Sequence, residues 1–268
     1  MLRSLLVALD DTPGAAAARD LAFALARRHG ARVTGLLVLD RPHTLDSHEP
    51  VPVGGGAFAI RRNAALAAAV EAEARQVLEA AQAAAQGLSF TISRRDEAPE
   101  PALLAEGAAH DLVVIGRDST LGREACEDGL SPTIEALIRD GARPLLVVPP
   151  GPGPSGPVLA VLEGGLASQR ALQLFLLLGL GASGPVRLLS LAPAGTEAVA
   201  GYFAAHGVAV QRVGEAEASG HDAVLGEAAG ASLLVMGAGE EGGLRRLVFG
   251  SETAQLLRNA PCPVFIHG

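Results

Sequence analysis

Glycine and serine residues near the end of the chain form the most suggestive chemical pattern in the sequence. Gly237 and Gly239 closely follow the apolar run 232–236, and Gly250 and Ser251 stand just before a helical segment. Glycine lets backbone N–H groups approach a ligand, and N–H groups at a helix start attract anions. The pattern therefore predicts a phosphate-binding loop. The simpler alternative is that Ser251 caps the helix and the glycines only form turns.

Two acidic residues follow other apolar runs in corresponding places. Asp10 follows the run 5–9, and Glu163 follows the run 158–162 and precedes two glycines. In open parallel sheets a ligand lies outside the carboxyl ends of the strands, where the strand order reverses. We therefore expect Glu163 to lie near the loop that begins at Gly237, and Asp10 to hold the same position in the first half.

The elements that position these residues alternate between strands and helices. We predict strands at 5–9, 32–39, 88–93, 111–116, 144–148, 158–162, 186–191, 208–213, 232–236 and 264–266. Alternation with right-handed crossovers gives an α/β protein with two doubly wound domains, each with a five-stranded parallel sheet. Because 150–157 is rich in Pro and Gly, we place a linker there, between domains 1–149 and 158–268.

The two halves of the chain repeat the same order of elements. Leu5–Asp10 aligns with Val158–Glu163 at an offset of 153 residues, whereas Thr133–Pro144 aligns with Glu252–Pro263 at an offset of 119. The first half therefore carries 34 extra residues. We assign them to a polar loop over 40–58 and a long Ala-rich helix over 59–86.

Composition and charge exclude several classes of protein. The net charge of -8, without a cluster of Arg, argues against binding of nucleic acid through its phosphates. No apolar run approaches the roughly 20 residues of a membrane span, and the N-terminus enters a strand pattern directly. The two cysteines, Cys126 and Cys262, cannot form a disulfide framework. We expect a cytoplasmic protein that does not bind membranes.

The sequence resembles the universal stress protein family in both halves. The segment 235–264, which contains Leu244-Arg-Arg-Leu-Val-Phe-Gly-Ser251 and Leu256-Leu-Arg-Asn-Ala-Pro-Cys-Pro263, is similar to the C-terminal signature of that family. Leu5–Asp11 resembles its first strand with the acidic end. The chain thus looks like a tandem universal stress protein. The resemblance implies a Rossmann-like fold of the adenine nucleotide alpha hydrolase type.

One branch of this family binds ATP through a loop of the form Gly-x-x-Gly, nine residues, then Gly-Ser or Gly-Thr. Carried over by position, the loop runs from Gly237 to Gly250 and Ser251, but Glu240 stands where the second glycine belongs. Its carboxylate would oppose a triphosphate, unless Gly239 or Gly242 takes that role. The family's acidic Asp after the first strand is Glu163 here. The resemblance therefore implies that ATP binding is weakened in the second half.

The first half departs further from the ATP-binding pattern. Ser131 and Pro132 align with Gly250 and Ser251. Proline lacks the backbone N–H that would hold a phosphate at the helix start. Asp10 nevertheless keeps the acidic residue of the family. We expect the first half to have lost phosphate binding.

The resemblance also implies pairing between final strands, because members of the family dimerise in this way. The candidate edge strands are Pro144–Val148 and Val264–Ile266. In a tandem chain the two halves can pair with each other and cover both edges. A homodimer remains open as well.

Three functions compete at this point. We favour a non-enzymatic stress-response protein, regulatory or protective, whose nucleotide binding is weakened or lost, because no Ser/His/Asp nucleophile elbow is present. The first alternative is an ATP-binding regulatory module that uses the second-half loop. The second alternative is a sensor of another small molecule under the loop 40–58. His43, Asp46, His48 and Glu49 in that loop have the chemistry of metal ligands, but a solvated loop explains them more simply.

Overall fold

The computed structural model describes residues 1–40, 56–123, 128–153, 155–191, 195–215, 220–238 and 251–268. The first half contains β1 (Ser4–Leu9), α1 (Pro13–His29), β2 (Arg32–Val38), α2 (Gly56–Ala84), β3 (Phe90–Arg95), α3 (Pro99–Gly107), β4 (Leu112–Gly116), α4 (Pro132–Asp140) and β5 (Leu145–Val148).

The second half repeats this order with shorter helices. It contains β6 (Val158–Leu162), α5 (Leu166–Leu177), a 3₁₀ turn (Leu180–Ser183), β7 (Val186–Ser190), α6 (Thr196–Ala205), β8 (Val210–Glu215), α7 (Gly220–Ala228), β9 (Leu233–Gly237), α8 (Ser251–Asn259) and β10 (Val264–His267).

All ten strands belong to one sheet, in the order β3-β2-β1-β4-β5-β10-β9-β6-β7-β8. Each half contributes five parallel strands, as predicted. The two sets meet through β5 and β10, which are antiparallel, with Leu146 opposite Phe265. The strands on which we expected the halves to pair therefore lie side by side, and the two sheets are continuous. Strand order reverses between β1 and β4, and again between β6 and β9.

The sheet carries apolar cores on both faces. Helices α1, α2, α5 and α6 cover one face, and α3, α4, α7 and α8 cover the other. On the first face Phe175 and Phe265, both fully buried, meet edge to face with ring centroids 6.0 Å apart. Because each apolar cluster contains residues from both halves, the linker region does not separate two independent cores.

The long helix lies close to its predicted position, over 56–84 rather than 59–86. It has 29 residues, whereas the corresponding helix α6 has 10, so part of the first-half insertion is helical. Its C-terminal half packs through the buried Ala74 and Ala81, while Ile60 is 71% exposed. The loop predicted over 40–58 falls mostly outside the described residues.

Two strand predictions were shifted by two residues, since the strand predicted over 208–213 is β8, Val210–Glu215, and β3 shows the same shift. We predicted a strand over 88–93, but β3 is Phe90–Arg95. Two arginines continue the strand because its edge position lets them reach carboxylates: Arg94 pairs with Glu71 of α2 and Arg95 pairs with Glu106 of α3. Among the described helices, none is both long and apolar enough to cross a membrane.

Candidate functional site

Two glycines at the ends of central strands pack against the first turn of a helix. A Cβ on Gly116, at the end of β4, would lie 2.4 Å from the backbone N of Ala15 in α1. A Cβ on Gly237, at the end of β9, would lie 2.3 Å from the backbone N of Ser168 in α5. Close approach of helix and strand therefore requires glycine at both positions, independently of any ligand. Sequence reasoning had offered a phosphate loop or a simple turn for Gly237, and neither anticipated this packing role.

Asp10 lies at the end of β1, as predicted, and its carboxylate is used within the chain. Oδ1 accepts hydrogen bonds from the backbone N–H and the hydroxyl of Thr12, at 3.0 and 2.6 Å. Oδ2 accepts one from the backbone N–H of Leu121 at 3.1 Å. Burial raises the pKa of Asp10, and these hydrogen bonds partly oppose the rise. Three hydrogen bonds to its own chain leave this carboxylate poorly placed to recognise a ligand.

The segment 117–123 after β4 lies over the carboxyl ends of β1 and β2. Leu121 is fully buried and has a φ of 54°, a left-handed conformation that costs a leucine about 1–2 kcal/mol. Its side chain belongs to the same apolar cluster as Val38 at the end of β2. A Cβ on the next residue, Gly122, would lie 3.6 Å from the carbonyl O of Val38. The chain itself therefore fills the place where strand order reverses in the first half.

Arg123 fixes this segment on two sides. Its Nε donates to Asp40 Oδ2 at 2.8 Å, and Nη1 and Nη2 donate to the two carboxylate oxygens of Glu100, at 2.6 and 3.1 Å. The Thr133 hydroxyl donates to Glu100 Oε1 at 3.1 Å. Burial opposes the ionisation of Glu100, but hydrogen bonds from the backbone, Arg123 and Thr133 outweigh it and lower the pKa of its carboxyl. These ion pairs therefore hold the segment 117–123 over the crevice at the carboxyl ends of β1 and β2, which we call the first-half crevice.

The start of α4 offers few donors to an anion. Pro132 occupies the first turn, as predicted, and the buried Ser131 makes no side-chain capping hydrogen bond. The backbone N–H of Ser131 instead donates to the carbonyl O of Arg117 at 2.8 Å. This backbone hydrogen bond ties Ser131 to the segment after β4, and its hydroxyl does not cap α4.

The second half brings two carboxylates together at the matching reversal of strand order. Glu163 follows β6, and burial raises its pKa to about 7, with a further contribution from the negative charge of Glu252. Glu252 lies in the first turn of α8, which begins at Ser251. Gly239, Glu240 and Gly250 lie outside the described residues, so their predicted roles stay predictions. Glu252 was missed by sequence reasoning, although it stands directly after the Gly-Ser pair.

Within the described part of the chain, the remaining candidate groups form no metal site and no reactive thiol site. Among the described residues, no group of three or more His, Cys, Asp or Glu side chains could hold a metal ion. The loop residues His43, Asp46, His48 and Glu49 lie outside the described part of the chain, as does Cys126. Cys262 is buried, and burial raises its pKa to about 11, so its thiol is not a reactive nucleophile.

Comparison with known proteins supports one family. The sequence profile of the universal stress protein family matches residues 1–149 and 204–267. Comparison with curated proteins finds no match. A universal stress protein from Archaeoglobus fulgidus has a similar structure, with a TM-score of 0.63 and 17% identity over 98% of this chain and 95% of its own. A protein of unknown function from Pseudomonas aeruginosa PAO1 gives a TM-score of 0.59 at 16% identity, over 99% and 92% of the two chains.

These two structures extend over both halves, which establishes the tandem fold. Residues 158–203 lie outside the profile match, yet they form β6, α5, β7 and most of α6, the first elements of the repeat. Because the profile matches most of the chain, including the signature around Pro261–Val264, the chain belongs to the universal stress protein family.

Proposed function

We propose that the protein is a stress-response protein with a regulatory or protective role and without catalytic turnover. In this proposal the first half does not bind nucleotide and the second half binds it weakly or not at all. The observation that carries the proposal is the closed crevice of the first half, where Leu121 is buried and Arg123 pairs with Asp40 and Glu100.

The closed crevice supports the loss of binding for an energetic reason. A nucleotide entering the first half must displace the fully buried Leu121 and the ion pairs of Arg123, in addition to losing its own hydration. At the start of α4 two donors cannot compensate, since Pro132 has no N–H and the N–H of Ser131 is already bonded. Nucleotide binding in the first half would therefore cost more free energy than its new contacts could return.

In the second half, electrostatics supports weak binding. Glu163 and Glu252 interact closely enough that Glu252 raises the pKa of Glu163. Both would face a triphosphate bound between β6 and α8, and like charges oppose each other most strongly in partly buried sites. Acidic side chains at both positions are more consistent with a vestigial site than with a tight one.

Calorimetry with Mg-ATP tests this proposal on the full chain. We expect no site in the first half and at most one weak site per chain. The double variant Glu163→Gln and Glu252→Gln should strengthen that weak site by about threefold to tenfold, because it removes the opposing charges. The matched control Glu79→Gln, an exposed residue of α2, should change nothing. Two tight sites in the unaltered chain, or nucleotide released from the purified protein in equimolar amount, would overturn the proposal.

The alternative is an ATP-binding regulatory module in the second half, and one observation favours it. Helix α8 begins at Ser251, directly after Gly250, and the N-terminus of a helix favours a phosphate through its backbone N–H groups and its dipole. For this function, Ser251→Ala should abolish Mg-ATP binding measured by calorimetry. The same variant should leave thermal stability nearly unchanged if the hydroxyl only contacts the ligand.

A further inference from the structure

The N-terminal half of α2 extends past the part of the helix that packs on the rest of the protein. Ala74 is buried, whereas no side chain over 60–73 is buried. Asn63, Ala67 and Val70 continue the line of Ala74 at intervals of three or four residues and are partly buried, so this line faces the protein's own core. The other sides of this half are open to a second molecule.

An exposed stripe runs along one of these open sides. It consists of Arg62, Leu66, Ala69 and Glu73, whose spacings of four, three and four residues place them on one side of a helix. All four are exposed, and the large apolar side chain of Leu66 is 43% exposed. We call these four residues the α2 stripe. Its ends are 11 residues apart, which corresponds to about 16 Å along a helix.

The order of residues in the α2 stripe is self-complementary. A cation lies at one end, a carboxylate lies at the other, and two apolar residues lie between them at spacings that are symmetric about the centre. In an antiparallel pair of such helices, Arg62 of one copy faces Glu73 of the other. Leu66 likewise faces Ala69, which is small enough to let the helices approach closely. One set of residues therefore supplies both sides of a twofold contact.

The surroundings of Glu73 favour a cation from a second copy. Glu71, two residues earlier, pairs with Arg94 of the same chain. The pKa of Glu73 is raised by partial burial and then by the negative charges of Asp11 and Asp10. An arginine from a second copy would therefore meet negative charge from α2 and from the residues just before α1.

The final strands offer no surface to a second copy. Strands β5 and β10 lie against each other within one chain, so the edges through which the family pairs are already covered. A second copy would need another surface, such as the α2 stripe. Because the stripe is short, its dimer would bury less than the roughly 1,200 Å² of standard interfaces, and we expect weak, reversible association.

We propose that two copies of this chain associate through antiparallel α2 stripes, with Arg62 of each copy paired with Glu73 of the other around the two Leu66 side chains. The corresponding helix α6 has 10 residues against 29, so this surface belongs to the first-half insertion. The proposal goes beyond the function proposed above and does not depend on nucleotide binding, because the stripe contributes no residue to the first-half crevice or to the Glu163 site.

Sedimentation equilibrium of the full chain tests the proposal. We expect a monomer–dimer equilibrium with a Kd on the order of 100 µM. Arg62→Glu and Glu73→Arg should each weaken association at least tenfold, because each variant places like charges opposite each other twice in the dimer. Circular dichroism should show an unchanged fold, since both positions are exposed.

A matched pair of variants tests the apolar centre. Leu66→Ser should weaken association by about tenfold, because the dimer loses two apolar contacts. Ile60→Ser is the control. Ile60 is more exposed, at 71%, and lies on another side of α2, so its replacement should leave the dimer unchanged.

A mixture of the two charge variants distinguishes this arrangement from a general loss of association. In a heterodimer of the Arg62→Glu and Glu73→Arg chains, opposite charges face each other at both ends, so the mixture should associate about as well as the parent. A parent chain that stays monomeric up to about 1 mM, ten times the expected Kd, would overturn the proposal. A dimer that the charge variants do not weaken, or a mixture no more associated than its components, would do so too.

Discussion

Leu121 combines a buried side chain with a backbone conformation that favours glycine. Truncation to alanine removes the side chain but keeps the strained φ, whereas glycine removes both. We therefore predict that Leu121→Gly is more stable than Leu121→Ala by about 1 kcal/mol, although both lose about 2–4 kcal/mol relative to leucine. Urea unfolding of the two variants measures the difference.

Leu130 provides the matched control for the relative stability of the glycine and alanine variants. It is buried in the same apolar cluster, and its φ is not positive. At such a position glycine is normally less stable than alanine by about 0.5–1 kcal/mol. The order of Gly and Ala should therefore reverse between the two sites. The same order at both sites would contradict a strained backbone at Leu121.

Glu163 makes stability depend on pH. Its pKa in the folded protein is about 7, above the ordinary value of 4.5 for a glutamate, so the folded state binds more protons than the unfolded state between these two pH values. Stability should fall as pH rises from about 4.5 to 7, by no more than a few kcal/mol. In the Glu163→Gln variant the free energy of unfolding should not fall over this pH range, and the variant should be more stable than the parent at pH 8. Urea unfolding at pH 5 and pH 8 measures both, and Glu252→Gln should flatten the slope only in part.

The residues of the first-half crevice show what the sequence could reveal. Asp10 was placed correctly because a residue after an apolar run must lie at a strand end. Arg123 was missed because its partners Asp40 and Glu100 lie 83 and 23 residues away in the chain. The left-handed backbone of Leu121 was equally hidden, since its residue type argues against that conformation. Closure of the crevice is a tertiary property with no local signal.

Contacts between strand and helix explain why Gly116 and Gly237 occur at equivalent places in the repeat. Each lies where β4 or β9 meets the first turn of α1 or α5. We predict that Gly237→Ala destabilises the protein by about 1–3 kcal/mol, because its Cβ would meet backbone atoms that cannot rotate away. Gly116→Ala should behave alike. Thermal unfolding with van't Hoff analysis measures both.

A glycine in a helix serves as control for this prediction. Gly226 lies within α7, and a Cβ there would meet nothing within 4 Å. Gly226→Ala should therefore stabilise the protein by about 0.5–1 kcal/mol. If Gly237→Ala were neutral or stabilising too, the glycine at the end of β9 would not be required by packing.

The elements themselves were largely predictable, because their periodicity is strong. The Ala-rich pattern gave α2 within three residues at either end, and the repeat offsets located the insertion between β2 and β3. The end of β3 was not predictable. Arg94 and Arg95 extend that strand through ion pairs with Glu71 and Glu106, and these partners come from helices on opposite faces of the sheet.

The ten-stranded sheet joins the halves into one cooperative body. Besides β5 and β10, the backbone N–H of Leu2 donates to the carbonyl O of Leu178 at 2.9 Å, and Arg28 Nη2 donates to the carbonyl O of Ala182 at 2.8 Å. Arg258 of α8 pairs with Asp128 of the first half at 2.7 Å. Both apolar clusters also continue across the junction. We therefore predict a single unfolding transition for the whole chain.

The sequence provides a probe of one half for testing this prediction. The chain has one Tyr and no Trp, so fluorescence of Tyr202 reports the second half, while far-UV circular dichroism reports both. The two melting curves should coincide in the parent protein.

Phe265→Ala, at the junction, should cost about 3–5 kcal/mol and separate the curves, because it removes the contact with Phe175 across the central strands. Phe23→Ala, in the first half against Phe90, should cost as much but leave the curves coincident. Two separate transitions in the parent protein would mean that the continuous sheet does not couple the halves.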